Sequence, residues 1–224
     1  MTTSPPVIAV FTRTTGYRHD SIPAAVAAFE ELGAANGLTV LHTEDPVVLT
    51  RALENGGCAV AVFASTSGDV LDDDARRALE RQVRGGGGFL ALHSAAGTEP
   101  GWPFYAELLG GVRFDGHPEL QPATVTVEDH AHPATAHLPA RWTWTDEWYD
   151  FTANPRPGVR VLASVDELGY HGGRMGADHP LVWCHTLDAG RCLVTALGHT
   201  GDAYQDPAFR AHLLGALSWA GRLR

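Results

Sequence analysis

A chain of 224 residues, 44% hydrophobic and 19% charged, with its 25 glycines and 14 prolines spread along its length, has the composition of a folded globular protein; it is short enough for one core, so a single domain over residues 1–224 is expected. The formal charge of −10, with 16 Lys and Arg residues that form no run, excludes nucleic acid and anionic membrane as expected partners. Three cysteines without a CxxC pair make no disulfide framework, and with neither a leader-like segment nor an 18-residue apolar run the expected location is the reducing cytoplasm.

The first half repeats a strand, loop and helix cadence. An apolar run at 7–11 predicts a strand, followed by a helix over about 23–36 that carries Val26, Phe29 and Leu32, with Ser21 and Pro23 at its start. Further strands are predicted at 38–42, 59–64 and 89–92, with helices over about 47–54 and 72–83; the acidic cluster Asp72 to Asp74 suits the start of the latter helix, where carboxylates offset the helix dipole. Short apolar strands separated by amphipathic helices indicate a parallel sheet covered on both faces, a doubly wound α/β architecture. The glycines at 85–88 precede a strand and lack a P-loop lysine, so they read as a helix C-cap and tight turn. After a helix around 102–109 the pattern changes to extended segments at 123–127, 159–165, 181–186 and 192–197, and a helix over 207–219 follows. The stretch 110–154, rich in Pro, His, Trp and Asp, is long for a connection and is expected to be functional or to carry short strands of its own.

In open α/β sheets the ligand crevice lies beyond the carboxyl ends of the strands, so the polar residues just after each apolar run are the candidates. These are 12–21, with Arg18, His19 and Asp20; 65–69; His93 and Ser94; and 198–200, with His199 and Thr200. A single strand-end histidine is more often structural than catalytic, and it is the expected convergence of several that gives weight to the set. His42, His130, His132, His137, His171 and His212 have no such placement. Asp146 and Glu147 stand beside Trp148 and Tyr149, with Trp142 and Trp144 just before; aromatic faces next to carboxylates suit a sugar, and they suit a packed core equally well. His117, and His179 near Trp183 and His185, either add to the same cleft or cap strands. Ser94 sits at a strand-to-helix turn, as an elbow nucleophile would. Leu92 and Ala96 replace the glycines of G-x-S-x-G, and the alternative is a helix cap.

Phe11-Thr12, Tyr17-Arg18-His19-Asp20-Ser21-Ile22, Gly68-Asp69-Val70-Leu71, residues 86–94, Asp115-Gly116-His117-Pro118, residues 145–149, Asp178-His179-Pro180 with Trp183-Cys184-His185, and Leu197-Gly198-His199-Thr200 together resemble the ThuA-like, or trehalose utilisation, family over nearly the whole chain. The resemblance implies a flavodoxin-like, class I glutamine amidotransferase-like fold: a doubly wound, mostly parallel sheet in three α-β-α layers. In that fold an elbow cysteine and a late histidine form the catalytic pair. Here His93-Ser94 occupies the elbow and His199 the late position, with no cysteine near either, so glutamine hydrolysis is not expected.

The resemblance further implies disaccharide use through sugars oxidised to a 3-keto form, whose C2 proton is acidic enough for a base to remove. Elimination of the anomeric oxygen or isomerisation would follow. On that reading His93, Glu147 and His199 transfer protons, while Arg18, His19, Asp20, Ser94, His117, Asp146, Trp148, Tyr149 and Thr200 bind the sugar. A divalent metal that polarises the carbonyl is left open, because no H-E-x-x-H spacing is present. The expected partner is a small-molecule carbohydrate, a homodimer is left open, and the alternatives to an enzyme are a carbohydrate-binding module or an accessory subunit of a sugar oxidoreductase.

Overall fold

The computed structural model describes residues 5–223. The amino-terminal half alternates β1 (Val7–Phe11), α1 (Ile22–Ala35), β2 (Thr39–Thr43), α2 (Pro46–Glu54), β3 (Cys58–Ala64), α3 (Asp73–Arg84) and β4 (Gly88–Leu92). After α4 (Pro103–Leu108) come β5 (Phe114–Gly116), β6 (Gln121–Val127), β7 (Arg141–Asp146), β8 (Asp150–Phe151), β9 (Arg160–Val165), β10 (His179–Leu187), β11 (Gly190–Thr195) and α5 (Pro207–Ala220). The long middle stretch does carry its own strands, β5 to β8. Of these the sequence pattern indicated only β6.

A nine-stranded sheet has the order β2-β1-β3-β4-β11-β10-β9-β6-β7, and β5 pairs with β8 in a separate ribbon. Pairing is parallel from β2 through β11 and antiparallel from β11 to β7. The inner parallel strands β1, β3 and β4 are apolar because helices cover both faces: α1 and α5 pack together on one side, α2 and α3 on the other. Ile8 to Phe11, Val60 to Ala64 and Phe89 to Leu92 are all buried.

Local sequence explains the helices. In α3 the buried residues Ala75, Ala78, Leu79 and Val83 recur at helical spacing while arginines take the outer face, and the Asp72 carboxylate accepts the Ala75 N–H at 2.8 Å as N-cap. The helix ends in the glycine run as the sequence suggested: the Gly85 N–H returns to the Arg81 carbonyl at 2.9 Å, and Gly86 takes φ +111° to turn the chain into β4. Asp45 and Asp206 cap α2 and α5 in the same way, each helix with a proline in its first turn.

Strand direction fixes where chemistry can gather. β1, β3, β4 and β11 end on one edge of the sheet. Each successive antiparallel pairing reverses direction, so β7, four pairings beyond β11, opens onto that same edge. Among the described residues no helix is long and apolar enough to cross a membrane, and Cys58, Cys184 and Cys192 are unpaired and buried.

Candidate active site

Four strand ends deliver four side chains to one point. His19 comes from the loop after β1, His93 directly follows β4, His199 follows β11 and Glu147 follows β7. Their donor atoms all lie within 4.8 Å of one another. Nε2 of His93 is 3.1 Å from Nε2 of His19 and 3.3 Å from Nδ1 of His199. Oε2 of Glu147 is 3.1 Å from His199 Nδ1, 3.6 Å from His93 Nε2 and 4.0 Å from His19 Nε2.

His93 holds the elbow itself, at φ +53°, a left-handed conformation that costs a non-glycine residue energy and that the packing around it must maintain. Its ring is wholly buried. Nδ1 donates to the Ala196 carbonyl at 2.9 Å, which leaves Nε2 as the lone-pair nitrogen facing the other three residues. Ser94 does not act as a helix cap; its hydroxyl is 3.2 Å from Nδ1 of His19 and fixes that ring.

Burial by itself would raise the Glu147 carboxyl, but the imidazoles of His19, His199 and His93 outweigh it and hold the group far below the ordinary carboxylate range. Contact with Glu147 raises the pKa of His199 against its own burial, whereas burial lowers that of His19. Tyr149, whose hydroxyl is 3.0 Å from His93 Nε2, is pushed well above its usual value by burial and by the Glu147 charge, so it stays a neutral donor.

The cluster opens into a cavity of about 510 Å³ walled by Tyr17, Ser94, Phe114, His117, Glu147 and Tyr149 among others, within the roughly 300–1,000 Å³ span of small-molecule sites. The His117 ring stacks on Tyr149 with centroids 5.2 Å apart, donates from Nδ1 to the Pro118 carbonyl at 2.9 Å, and presents Nε2 at 3.7 Å from Glu147.

Of the residues the sequence singled out, His19, His93, Ser94, His117, Glu147, Tyr149 and His199 are thus brought together. Asp146 stands behind them as a buried acceptor for the backbone N–H groups of Glu147, Gly198 and His199. Asp146 is therefore no sugar contact, and four more expected ones fall elsewhere. Trp148 is fully buried against Tyr170, so it offers no ring face to a ligand. Arg18 points away to an ion pair with Glu44 at 2.7 Å, Asp20 is exposed off the cavity wall, and Thr200 caps the short turn Gly201–Gln205. His179 instead bonds Glu167 and the Tyr149 carbonyl, and so supports the cavity from below.

Phe114 and Glu119 in the wall lie outside every candidate segment, and Tyr17, within the candidate stretch 12–21, was not among the expected sugar contacts. Tyr17 is 70% exposed, unusual for so large an aromatic, and its ring meets His19 edge-on at 4.8 Å; its place beside the strand-end histidine was the available signal.

The trehalose utilisation family, ThuA, matches residues 7–220. The chain belongs to the ThuA family. Its fold is similar to that of a protein described as ThuA-like from Bacteroides uniformis ATCC 8492, with TM-score 0.79 and 24% identity over 98% of this chain and 93% of that one. A protein described as ThuA-like from Parabacteroides merdae ATCC 43184 gives TM-score 0.78 and 19% identity over 97% and 90% of the two chains. The ThuA fold also resembles part of a β-galactosidase from Bacillus circulans sp. alkalophilus, with TM-score 0.61 and 13% identity over 96% of this chain and 31% of that one. No curated protein matches the sequence.

Proposed function

We propose that this ThuA-family chain is an enzyme that moves a proton beside the carbonyl of an oxidised sugar, a 3-keto derivative of trehalose or a related disaccharide. The observation that carries this reading is the convergence of His19, His93, His199 and Glu147 beside a cavity whose wall includes the aromatic rings of Tyr17, Phe114 and Tyr149. Abstraction at C2 needs a base within reach of the sugar and a polar group to hold the enolate oxygen. His117 suits the first role, because its Nε2 lone pair faces the cavity while Nδ1 is committed to a backbone carbonyl. The neutral Tyr149 hydroxyl suits the second. His93, being wholly buried, acts on the sugar only through the groups around it. Tyr17 and Phe114 provide apolar faces for sugar rings.

The test is proton exchange at C2 of 3-keto-trehalose in D₂O, followed by NMR together with loss of the keto sugar and release of glucose. Wild type is expected to catalyse exchange, and His117→Gln to lower the rate by roughly a hundredfold. Binding of the keto sugar without exchange would make the chain a carbohydrate-binding module instead. Neither binding nor exchange would remove the sugar from the reading.

A further inference from the structure

We infer that His19, His93, His199 and Glu147 form a binding site for one divalent first-row transition-metal ion of the zinc type, held through Nε2, Nε2, Nδ1 and Oε2. The inference stands on donor geometry alone and is independent of the sugar. Ligand atoms about 2.1 Å from an ion lie roughly 3.0 Å apart at right angles and about 3.4 Å apart at the tetrahedral angle. Four separations, of 3.1, 3.3, 3.1 and 3.6 Å, fall close to those edges; the His19 to Glu147 edge is longer, at 4.0 Å, and all the donor atoms lie within 4.8 Å of one another.

Oε2 of Glu147 is sealed from solvent and has no aligned hydrogen-bond donor, although three imidazole nitrogens stand around it. His93 keeps its proton on Nδ1 through the Ala196 carbonyl, and His19 Nδ1 is engaged by Ser94, so the outer nitrogens are fixed as those of metal-bound histidines are. The second grouping of such side chains, Asp150, Glu167 and His179, is the contrast. There the carboxylates accept aligned bonds from the N–H groups of Arg174, Met175 and Gly176 and from His179, which leaves nothing directed at an ion.

Charge points the same way. The single carboxylate among three imidazoles supplies a negative charge that a bound dication would offset. Three nitrogen donors favour zinc, cobalt(II) or iron(II) over magnesium and calcium, which take oxygen.

Untagged full-length protein, stripped with a chelator and returned to chelator-free buffer, is titrated with Co(II) by visible absorption and with Zn(II) against a chromophoric chelator. One ion per chain is expected, with Zn(II) affinity at least ~10-fold weaker in His19→Ala and Glu147→Gln. X-ray absorption at the zinc edge of the wild-type protein, which requires no variant, is expected to show imidazole scattering with no sulfur ligand. Absence of a stoichiometric ion, a sulfur-containing ligand set, or an affinity unchanged in both folded variants would overturn the site. Proton exchange on the keto sugar is a separate readout, so loss of either result leaves the other standing.

Discussion

Both oxygens of Asp146 are committed to donors. Oδ2 accepts from the Gly198 N–H at 2.8 Å and Trp144 Nε1 at 2.9 Å, and Oδ1 from the N–H groups of Glu147 at 3.0 Å and His199 at 3.2 Å. One buried carboxylate therefore ties the segment that presents Glu147 to the loop that presents His199. Asp146→Asn turns an NH₂ group toward an N–H donor at one of these positions, for an expected loss of about 3 kcal/mol. That should lower the thermal midpoint by roughly 10 °C in circular dichroism, and an unchanged midpoint would show that the two loops are held by other contacts. At the mouth, Tyr17→Ala removes an apolar face and an edge contact with His19 but no polar group of the cluster, so on the proposed activity KM for the keto sugar should rise about fivefold with kcat little changed; a fall in kcat alone would place Tyr17 in the chemistry. The contrast between Tyr17 and Trp148 marks how far the site was legible in the sequence. Strand ends share an edge by topology, so His19, His93 and His199 could be grouped from the apolar runs that precede them. The loop after β7 has no repeat to show which side its side chains face, and Trp148, chosen as a stacking surface, turns into the core while Tyr17 faces the cavity.

Elements built on regular periodicity were the readable part of the fold. β1 to β4 and the helices between them lie within one or two residues of their predicted bounds, because helical and extended patterns differ in repeat and the connections are short. β7 is not among the predicted strands although Arg141, Thr143 and Thr145 alternate with Trp142 and Trp144, the pattern of a strand with one covered face; of the two readings open for the tryptophans, the core holds, for they pack on each other and Trp144 packs on Phe209. Strand order beyond β4 depends on long-range pairing that no local pattern encodes. Packing of α5 shows a similar limit. Gly215 lies in the helix interior, where Ala would ordinarily gain about 1 kcal/mol. A Cβ there would overlap the Pro133 carbonyl of the segment that crosses the helix, so the sign reverses. Gly215→Ala is expected to cost about 2 kcal/mol, read from the urea midpoint, and a gain in stability would mean that the segment moves aside freely.

The body of the molecule is joined in part by histidines that must stay neutral, and this sets its response to acid. His212 on α5 is fully buried, with Nδ1 donating to the Ala134 carbonyl at 2.8 Å and Nε2 at 3.2 Å from the Thr195 hydroxyl of β11. Burial, only partly opposed by that carbonyl, pushes its pKa down to about 4, with His137 and His132 nearby adding to the fall. His132, 1% exposed in the segment beneath α5, is likewise lowered to about 4, by burial first and then by Arg160. In both cases the folded-state pKa lies below the unfolded value of 6.5, so between pH 6.5 and 4 the unfolded chain binds more protons than the folded one. Their neutral-state stability is fully present above about pH 6.5, declines as pH falls, and is lost below about pH 4, at about 3 kcal/mol for each histidine. The formal charge of −10 works in the opposite sense, since acid relieves repulsion among surface carboxylates. That repulsion is spread over the surface and screened by salt, whereas the two imidazoles are sealed in the core. Urea midpoints are therefore expected to fall steadily from pH 7 to pH 4 in 0.15 M salt. His212→Gln, less stable than wild type at pH 7, should show a shallower decline, because one of the buried groups that take up protons on unfolding is gone; an identical slope in the variant would assign the acid sensitivity to other groups.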